Sequence, residues 1–193
     1  GTHVAGIIAQ STNNGIGTAG MAYGTSIMPI KALGQDGSAL LSNLIEGIMW
    51  AVDNGANVIN LSLGGGEASQ AEEDAVKYAY ENGVSVIAAS GNDGGPVSYP
   101  AAYDAYVLAV GATRYDKSWV PYSNYGPELD VVAPGGDLSV DQNGDGYGDG
   151  ILQQTIKGYD SADKVTYYDP NYYFYQGTSM AVPHVVALAA LML

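Results

Sequence analysis

The same three-part pattern occurs twice in succession along this chain, and it limits the possible folds more than any other feature. Each time, apolar residues at helical spacing are followed by an Asn-Gly pair and then by a Val-rich apolar run. The pairs Asn54-Gly55 and Asn82-Gly83 are typical of helix C-termini. Because the apolar runs are continuous and are joined by helices, they predict an α/β fold. Its mostly parallel central sheet is covered on both faces, in a three-layer α/β/α arrangement.

The individual elements follow from the same patterns. Five apolar runs are predicted to be strands, namely Ser26–Leu33, Asn57–Leu63, Val84–Ser90, Tyr106–Thr113 and Leu129–Ala133. Helices are predicted between Leu40 and Val52, around Ala71–Ala79, and from Thr178 onward. The stretch 136–175 is rich in Gly, Asp and Tyr and breaks this rhythm, so it is predicted to be an insertion at the surface. Residues 1–193 are therefore expected to form one domain.

Composition excludes several classes of partner. The chain carries 20 acidic and 6 basic residues, for a formal net charge of -14. Nucleic acid and anionic membrane surfaces both need clustered Lys and Arg, so neither is expected as a partner. The longest apolar stretch, Val185–Leu193, is too short to span a bilayer. The chain has no cysteine, which excludes disulfides and thiol chemistry.

Ser179 is the strongest candidate for chemistry. It follows Gly177-Thr178 in a turn that opens a long apolar helix. A helix N-terminus supplies backbone N–H groups and the positive end of the helix dipole, which favour a developing oxyanion. A serine in that position becomes a nucleophile only when a base takes its proton. Alternatively, Thr178 and Ser179 cap the helix and do nothing else.

Further motifs favour the catalytic interpretation. The segments, in chain order, are Gly1-Thr2-His3-Val4-Ala5-Gly6, Leu33-Gly34-x-Asp36-Gly37-Ser38, Asn60-Leu61-Ser62-Leu63-Gly64-Gly65, Ala88-Ala89-Ser90-Gly91-Asn92, Ser98-Tyr99-Pro100-Ala101, Val131-x-Ala133-Pro134-Gly135 and Gly177-Thr178-Ser179-Met180-Ala181-x-Pro183-His184. Together they resemble the subtilase (subtilisin-like) family of serine proteases. The resemblance implies a secreted, monomeric serine endopeptidase that acts on peptides and proteins. It also implies that the chain is a partial catalytic domain truncated at both ends.

The resemblance assigns roles to only some of the catalytic residues. Ser179 corresponds to the nucleophile, and Asn92 to the side-chain amide that binds the oxyanion together with the Ser179 N–H. The general base corresponds to a position immediately before Gly1, and the aspartate of the triad lies further upstream. His3 and His184 correspond to structural positions. The chain alone is therefore expected to be inert, since losing the histidine costs about as much as losing the whole triad.

The resemblance also implies a substrate groove. It implies a pocket for the residue before the scissile bond, with Ser98 at its base. The two walls of this pocket are formed by Ser62, Leu63 and Gly64 and by Ala89, Ser90 and Gly91. Their small size leaves room for a large apolar or aromatic side chain. Gly37, Ser38 and Ala39 are expected to pair with the substrate backbone as an added strand. Leu41 and Leu44 either line a further pocket or belong to the helix core.

An acidic loop predicts calcium as a structural cofactor. Asp141, Asn143 and Asp145 alternate with other residues, Tyr147 follows in a position that offers its carbonyl, and Asp149 ends the series. This is the spacing of a calcium loop, although position 12 is Leu152 where an EF-hand has glutamate. Another carboxylate, such as that of Asp137, or water would complete the shell. The alternative is a solvated acidic turn.

A second calcium site is implied by resemblance alone. The Asn14 side chain and the carbonyls of Ile16 and Thr18 match ligand positions of a family loop, whose other ligands would precede Gly1.

Two other functions remain open. The first is a catalytically dead subtilase fold that serves as a calcium-dependent binding or structural module. The second, a nucleotide-binding domain built on Gly64-Gly65-Gly66, is disfavoured because the required spacing and lysine are missing.

Overall fold

The computed structural model describes residues 1–34, 36–160 and 166–193. Within these residues the chain forms four helices and six strands. In chain order they are α1 (Thr2–Ala9), α2 (Leu41–Asp53), β1 (Val58–Leu61), α3 (Gln70–Glu81), β2 (Ser85–Ala89), β3 (Val107–Thr113), β4 (Val131–Pro134), β5 (Ile151–Asp160), β6 (Thr166–Tyr175) and α4 (Thr178–Leu191). None of the helices among these residues is long and apolar enough to cross a bilayer.

Strands β1 to β4 form one parallel sheet in the order β1-β2-β3-β4. Leu61 pairs with Ala88 and Ala89 with Val110, so each strand lies beside its sequence neighbour. Parallel neighbours need a crossover connection, and helix α3 provides it between β1 and β2. The prediction of a parallel sheet joined by helices is confirmed.

Each face of the sheet carries its own apolar core. On one face, Val86 and Ala88 of β2 pack with residues of α2 and α3 such as Ile48 and Val76. On the other face, Ile87 and Ala89 pack with residues of α1 and α4. Successive residues of a strand point to opposite faces, so β2 contributes to both cores. This gives the three-layer arrangement expected from the sequence.

Both Asn-Gly pairs end helices, as predicted. Asn54 follows α2 and Asn82 follows α3, and the next glycines have φ of +83° and +75°. A side chain is strained at such angles, so glycine lets the chain turn immediately into the following strand.

The predicted strand Ser26–Leu33 is wrong. The segment forms no strand, and its residues are mostly exposed. A cavity of about 820 Å³ lies between this segment, helix α2 and strand β1, and β1 is the edge strand of the sheet. An extended segment becomes a strand only when a neighbouring backbone completes its hydrogen bonds. None of the described residues occupies that place beside Ser26–Leu33.

The insertion 136–175 contains an antiparallel hairpin that the sequence did not predict. Strands β5 and β6 pair from Ile151↔Tyr175 to Asp160↔Thr166. The base of the hairpin packs on α1, where the His3 ring stacks on the Tyr175 ring at 4.6 Å between centroids. The tyrosine-rich segment 159–175 of this insertion includes residues 161–165, which lie outside the described part of the chain.

Glu72 is a buried carboxyl in the first turn of α3, only 4% exposed, and it accepts a hydrogen bond from the Tyr103 hydroxyl at 3.1 Å. Burial raises the pKa of Glu72, and the Tyr103 hydrogen bond opposes this with a smaller effect. The folded protein therefore keeps the proton to higher pH than the unfolded chain does. Stability must fall as pH rises from the ordinary glutamate range through the raised pKa.

We predict that Glu72→Gln removes this fall, because glutamine cannot ionise but can still accept from Tyr103. The variant should gain stability relative to the wild type as pH rises from 3.5 to 8, with the gain complete above the raised pKa. Thermal unfolding at a series of pH values measures it. The same substitution at the exposed Glu46 is the matched control. A difference between the Glu72 variant and wild type that is the same at every pH contradicts the prediction.

Candidate active site

Ser179 lies in the first turn of α4, as the sequence predicts, and a loop asparagine holds that turn. Gly177 caps the helix with φ of +139°. The Thr178 N–H donates to Asn92 Oδ1 at 2.8 Å, and the Thr178 hydroxyl donates to the same oxygen at 3.0 Å. The loop that follows β2 and the start of α4 are therefore joined directly beside Ser179, although Thr178 and Asn92 are 86 residues apart.

The contact with Thr178 also sets the direction of the Asn92 amide. Because Oδ1 accepts both Thr178 hydrogen bonds, the Nδ2 group is directed away from them. Asn92 is exposed, and its Nδ2 has no acceptor within residues 1–34, 36–160 and 166–193. The N–H groups in the first turn of a helix also lack intrahelical acceptors. An exposed amide donor beside such a turn is the arrangement that binds a developing oxyanion.

Ser62 holds the nucleophile candidate from the other side. Its hydroxyl donates to the Ser179 carbonyl oxygen at 2.8 Å, and the Ser179 hydroxyl donates to the Ser62 carbonyl oxygen at 3.2 Å. Ser62 directly follows β1, so the carboxyl end of the sheet is attached to the first turn of α4. The sequence identified Ser62 only as part of a pocket wall, since a reciprocal contact between distant serines leaves no local signal.

Neither histidine contacts Ser179. His3 Nε2 lies 3.0 Å from the Ile151 carbonyl oxygen and 3.3 Å from that of Tyr173. His184 Nδ1 lies 2.8 Å from the Met180 carbonyl oxygen, one helical turn back. Burial lowers the pKa of both rings, which favours their neutral forms. Both histidines therefore have the structural roles that the resemblance implied, and the part of the chain described here supplies no base to Ser179.

The two predicted pocket walls lie side by side. They continue from β1 and β2, which are paired up to Leu61 and Ala88. A methyl group added to Gly64 would lie 3.6 Å from the Ala89 carbonyl oxygen and 3.8 Å from Ser98 Cβ. Gly64, Ala89 and Ser98 are thus brought together, and glycine keeps the space between them open. The Ala89 and Ser90 side chains are buried, so this wall presents its backbone.

The remaining groove residues lie on the approach to α2. Gly37, Ser38 and Ala39 are exposed in a loop whose turn is held by Asp36, which accepts from the Ser38 N–H at 3.0 Å and from its hydroxyl at 2.7 Å. Those hydrogen bonds lower the pKa of Asp36. In α2, Leu41 is exposed, whereas Leu44 belongs to the apolar core. Leu41 remains the candidate for substrate contact, and Leu44 fits the core alternative.

Asn124, which the sequence did not single out, supports the loop that carries Asn92. Its Oδ1 accepts from the Asp93 and Gly95 N–H groups at 2.8 and 3.2 Å, and its Nδ2 donates to the Pro96 carbonyl oxygen at 2.8 Å. The residue is buried, and each of its amide atoms is hydrogen-bonded to the loop that carries Asn92. The sequence around Asn124 is typical of an ordinary turn, so only its long-range contacts reveal that it supports this loop.

The acidic loop has the turns of a cation loop but not a converged set of ligands. Asp141 accepts from the N–H groups of Gly144 and Gly146, and Asp145 accepts from that of Tyr147. Among the residues with described positions, no three acidic, histidine or cysteine side chains surround a common point. Asp149 differs from the other acids, because it is 7% exposed and its Oδ1 is buried without a hydrogen-bond partner.

Asp137 lies next to this loop. Its backbone pairs with that of Asp149, and its carboxylate forms a 2.7 Å ion pair with Arg114. Burial raises the pKa of Asp137, but hydrogen bonds from Ser139 and Arg114 outweigh it and the net shift is downward. Since Arg114 and Ser139 already occupy this carboxylate, Asp137 is less suited than Asp149 to complete a cation shell.

The second predicted calcium loop has local partners. The Asn14 side chain accepts from the Ile16 N–H at 3.0 Å, and the Thr18 hydroxyl donates to Gln153 Oε1. Ile16 is 65% exposed. The assignment of Asn14, Ile16 and Thr18 as ligands remains a prediction.

Comparison with known proteins tests the family resemblance. The sequence model of the subtilase family matches residues 1–193. The chain is 44% identical over 194 residues to the thermophilic serine proteinase of Bacillus sp. (strain AK1), covering 100% of this chain and 42% of that protein. It is 42% identical over 192 residues to subtilisin Savinase of Lederbergia lenta, covering 99% of this chain and 61% of that protein.

Solved structures agree with the fold. A protease from Pseudoalteromonas arctica PAMC 21717 superposes with a TM-score of 0.84 at 38% identity, covering 98% of this chain and 57% of that one. A cold-adapted subtilisin-like serine proteinase gives a TM-score of 0.76 at 32% identity, covering 99% and 59%. The chain thus spans between about two fifths and three fifths of the length of these relatives. Since the match extends over every residue and the folds superpose, the chain belongs to the subtilase family.

Proposed function

We propose that the protein containing this chain is a serine endopeptidase that hydrolyses peptide bonds by acyl transfer through Ser179. The observation that carries the proposal is the pair of hydrogen bonds from Thr178 to Asn92, at 2.8 and 3.0 Å. They place an exposed amide donor beside the helix turn that carries the nucleophile candidate. Gly177 has no side chain that could accept from the first turn of α4, so Asn92 Oδ1 accepts from it instead, and this leaves the Asn92 Nδ2 group without a described acceptor.

The residues of the chain perform defined parts of this reaction. Ser179 Oγ attacks the carbonyl carbon of the scissile bond, and the carbonyl oxygen becomes negative. Asn92 Nδ2 and the Ser179 N–H donate to that oxygen and stabilise it. The tetrahedral intermediate then expels the amine, which takes up the proton that left Ser179, and water hydrolyses the remaining ester. His3 and His184 bond to other backbone groups, so the base that carries the proton is not one of the histidines of this chain.

The pocket geometry supports peptide and protein substrates. Gly64 and the backbone of Ala89 leave space above Ser98, which suits a large apolar or aromatic side chain before the scissile bond. The exposed Gly37–Ala39 loop offers backbone groups for an added strand. Secretion and a monomeric state complete the proposal by analogy with the family, and the net charge of -14 agrees with a protein that binds neither nucleic acid nor anionic membranes.

A serine-reactive fluorophosphonate tests the proposal on the whole protein. Wild type should be labelled at Ser179, because only an activated serine reacts quickly. Ser179→Ala should abolish labelling, and Ser85→Ala, which removes an exposed hydroxyl at the start of β2, should leave it unchanged. If folded wild type is not labelled, the protein is a catalytically dead subtilase fold with a binding or structural role.

We further propose that calcium binds the loop Asp141–Asp149 as a structural cofactor. The side chains of Asp141, Asn143, Asp145 and Asp149 and the Tyr147 carbonyl supply the oxygen ligands that calcium prefers. The buried, unpaired Asp149 Oδ1 supports this, because a carboxylate oxygen buried without a partner is costly unless a cation compensates it. Asn14, Ile16 and Thr18 are proposed as part of a second calcium site.

Calcium should therefore stabilise the protein through Asp149. At 100 times Kd, binding adds about 2.7 kcal/mol to the free energy of unfolding, which raises Tm by roughly 5–10 °C in a domain of this size. Asp149→Asn should lose more than half of that increase, whereas Asp104→Asn, at an exposed turn, should retain it. Thermal unfolding with calcium, with magnesium and with chelator measures the effect. An equal calcium response in wild type and Asp149→Asn would show that this loop is a solvated acidic turn.

A further inference from the structure

Tyr122 lies below the turn that carries Ser179, in the segment between β3 and β4. Its hydroxyl donates to the Gly136 carbonyl oxygen at 2.7 Å and accepts from the Gly177 N–H at 3.0 Å. The Gly177 N–H also reaches the Gly135 carbonyl oxygen at 3.0 Å. One half-buried hydroxyl therefore connects the glycine pair after β4 to the residue that caps α4.

The backbone of the same residue supports the other half of the site. The Tyr122 carbonyl oxygen accepts from the Gly94 N–H at 2.8 Å. Gly94 belongs to the loop that carries Asn92, which is held further by Asn124. Tyr122 thus contacts both the nucleophile turn and the loop of the oxyanion donor, while touching neither Ser179 nor Asn92 by a hydrogen bond.

The surroundings leave little freedom to replace these contacts. A methyl group on Gly135 would lie 2.4 Å from Ala112 Cβ, 2.9 Å from the Gly177 carbonyl oxygen and 3.0 Å from the Tyr122 hydroxyl. Such close packing prevents another polar side chain from taking the place of the hydroxyl. Burial and the nearby Asp137 raise the pKa of Tyr122 to about 12, so the hydroxyl keeps the proton that it donates to Gly136.

We propose that the Tyr122 hydroxyl is a positioning group for the reaction, which sets the orientation of the Gly177–Ser179 turn relative to Asn92. The inference rests on the proposed endopeptidase function and deepens it. Gly177 is the cap at which the chain changes from extended to helical geometry, so a shift in its N–H contact rotates the Ser179 N–H and hydroxyl together. Oxyanion donors act through their geometry, and small displacements weaken them in the transition state more than in the ground state.

Tyr122→Phe in the whole protein tests this. The phenyl ring keeps the packing and removes only the hydroxyl. We expect kcat to fall about 3- to 10-fold, the effect of one hydrogen bond, while KM stays within about 2-fold. The Gly177 amide should exchange its hydrogen about 3- to 10-fold faster, because it keeps only the Gly135 acceptor. Tm should change by less than about 4 °C.

Tyr125→Phe is the matched control, since Tyr125 is 58% exposed and lies in the same segment. It should leave kcat, KM and the Gly177 exchange rate at wild-type values. An unchanged kcat or an unchanged Gly177 exchange rate in Tyr122→Phe overturns the inference, as does a loss that is accompanied by a large fall in Tm. If the wild type neither hydrolyses peptides nor reacts with fluorophosphonate, the proposed function is refuted instead. In that case the Gly177 exchange rate of Tyr122→Phe still shows whether Tyr122 holds the turn.

Discussion

Replacing Ser179 by alanine in the whole protein should lower kcat by on the order of 10⁶-fold, a loss known for subtilisin itself and taken over here from that relative. The reason is that no acyl-enzyme can form without the hydroxyl. The remaining rate would come from the oxyanion donors and from substrate binding. Hydrolysis of a peptide amide with an aromatic residue before the scissile bond measures the loss.

The fold should tolerate this change. Among the described residues the Ser179 hydroxyl donates only to the Ser62 carbonyl oxygen, at 3.2 Å, whereas the bond from the Ser62 hydroxyl to the Ser179 backbone remains. The loss of one such bond costs about 1 kcal/mol, so Tm should fall by only a few degrees. A folded Ser179→Ala variant that retains more than a hundredth of the wild-type kcat would mean that another group is the nucleophile.

Replacing Asn92 by alanine should lower kcat by roughly 10²- to 10³-fold with a smaller change in KM, again a value measured in subtilisin for the oxyanion asparagine. In this chain the substitution also removes the acceptor of the Thr178 N–H, whereas the Thr178 hydroxyl keeps the Gly91 carbonyl oxygen at 3.3 Å as an acceptor. Thr178 is fully buried, so leaving its N–H unpaired should lower the free energy of unfolding by about 1–3 kcal/mol. Activity and stability are therefore both expected to fall.

Asn92→Asp separates the two effects. Aspartate keeps an oxygen acceptor for Thr178 but has no N–H donor, and its charge repels a developing oxyanion. If Asn92 acts as a donor, kcat of Asn92→Asp should be at least as low as that of Asn92→Ala, while its Tm is closer to that of wild type. Recovery of kcat in Asn92→Asp would show that the asparagine only holds Thr178. Steady-state kinetics and thermal unfolding of both variants distinguish these outcomes.

Much of the fold could be predicted because its signals are local. Asn54-Gly55 and Asn82-Gly83 end helices through the conformational freedom of glycine, which depends on few neighbours. The apolar runs of β2 and β3 are buried on both faces, and their composition alone indicates a parallel sheet. The position of Ser179 in the first turn of α4 follows from the same kind of local pattern.

The failures concern elements whose state depends on distant chain. Ser26–Leu33 has the composition of a strand, but no described backbone lies beside it to complete a ladder. The β5–β6 hairpin was missed because its tyrosines and glycines resemble a loop, and its base is stabilised by packing on α1. In both segments, tertiary contacts override local propensity.

The sequence by itself determined the layered α/β class and the helix ends, because each rests on periodicity or on a turn signal within a few neighbouring residues, and its ordered motifs singled out Ser179 and Asn92 as candidates through the family resemblance. Only the tertiary structure decided how the site is held together. The contacts between Thr178 and Asn92, between Ser179 and Ser62, and between Tyr122 and Gly177 join residues that are 86, 117 and 55 positions apart. Hydrogen bonds act over about 3 Å, and no local pattern records which distant groups the folded chain brings within that distance.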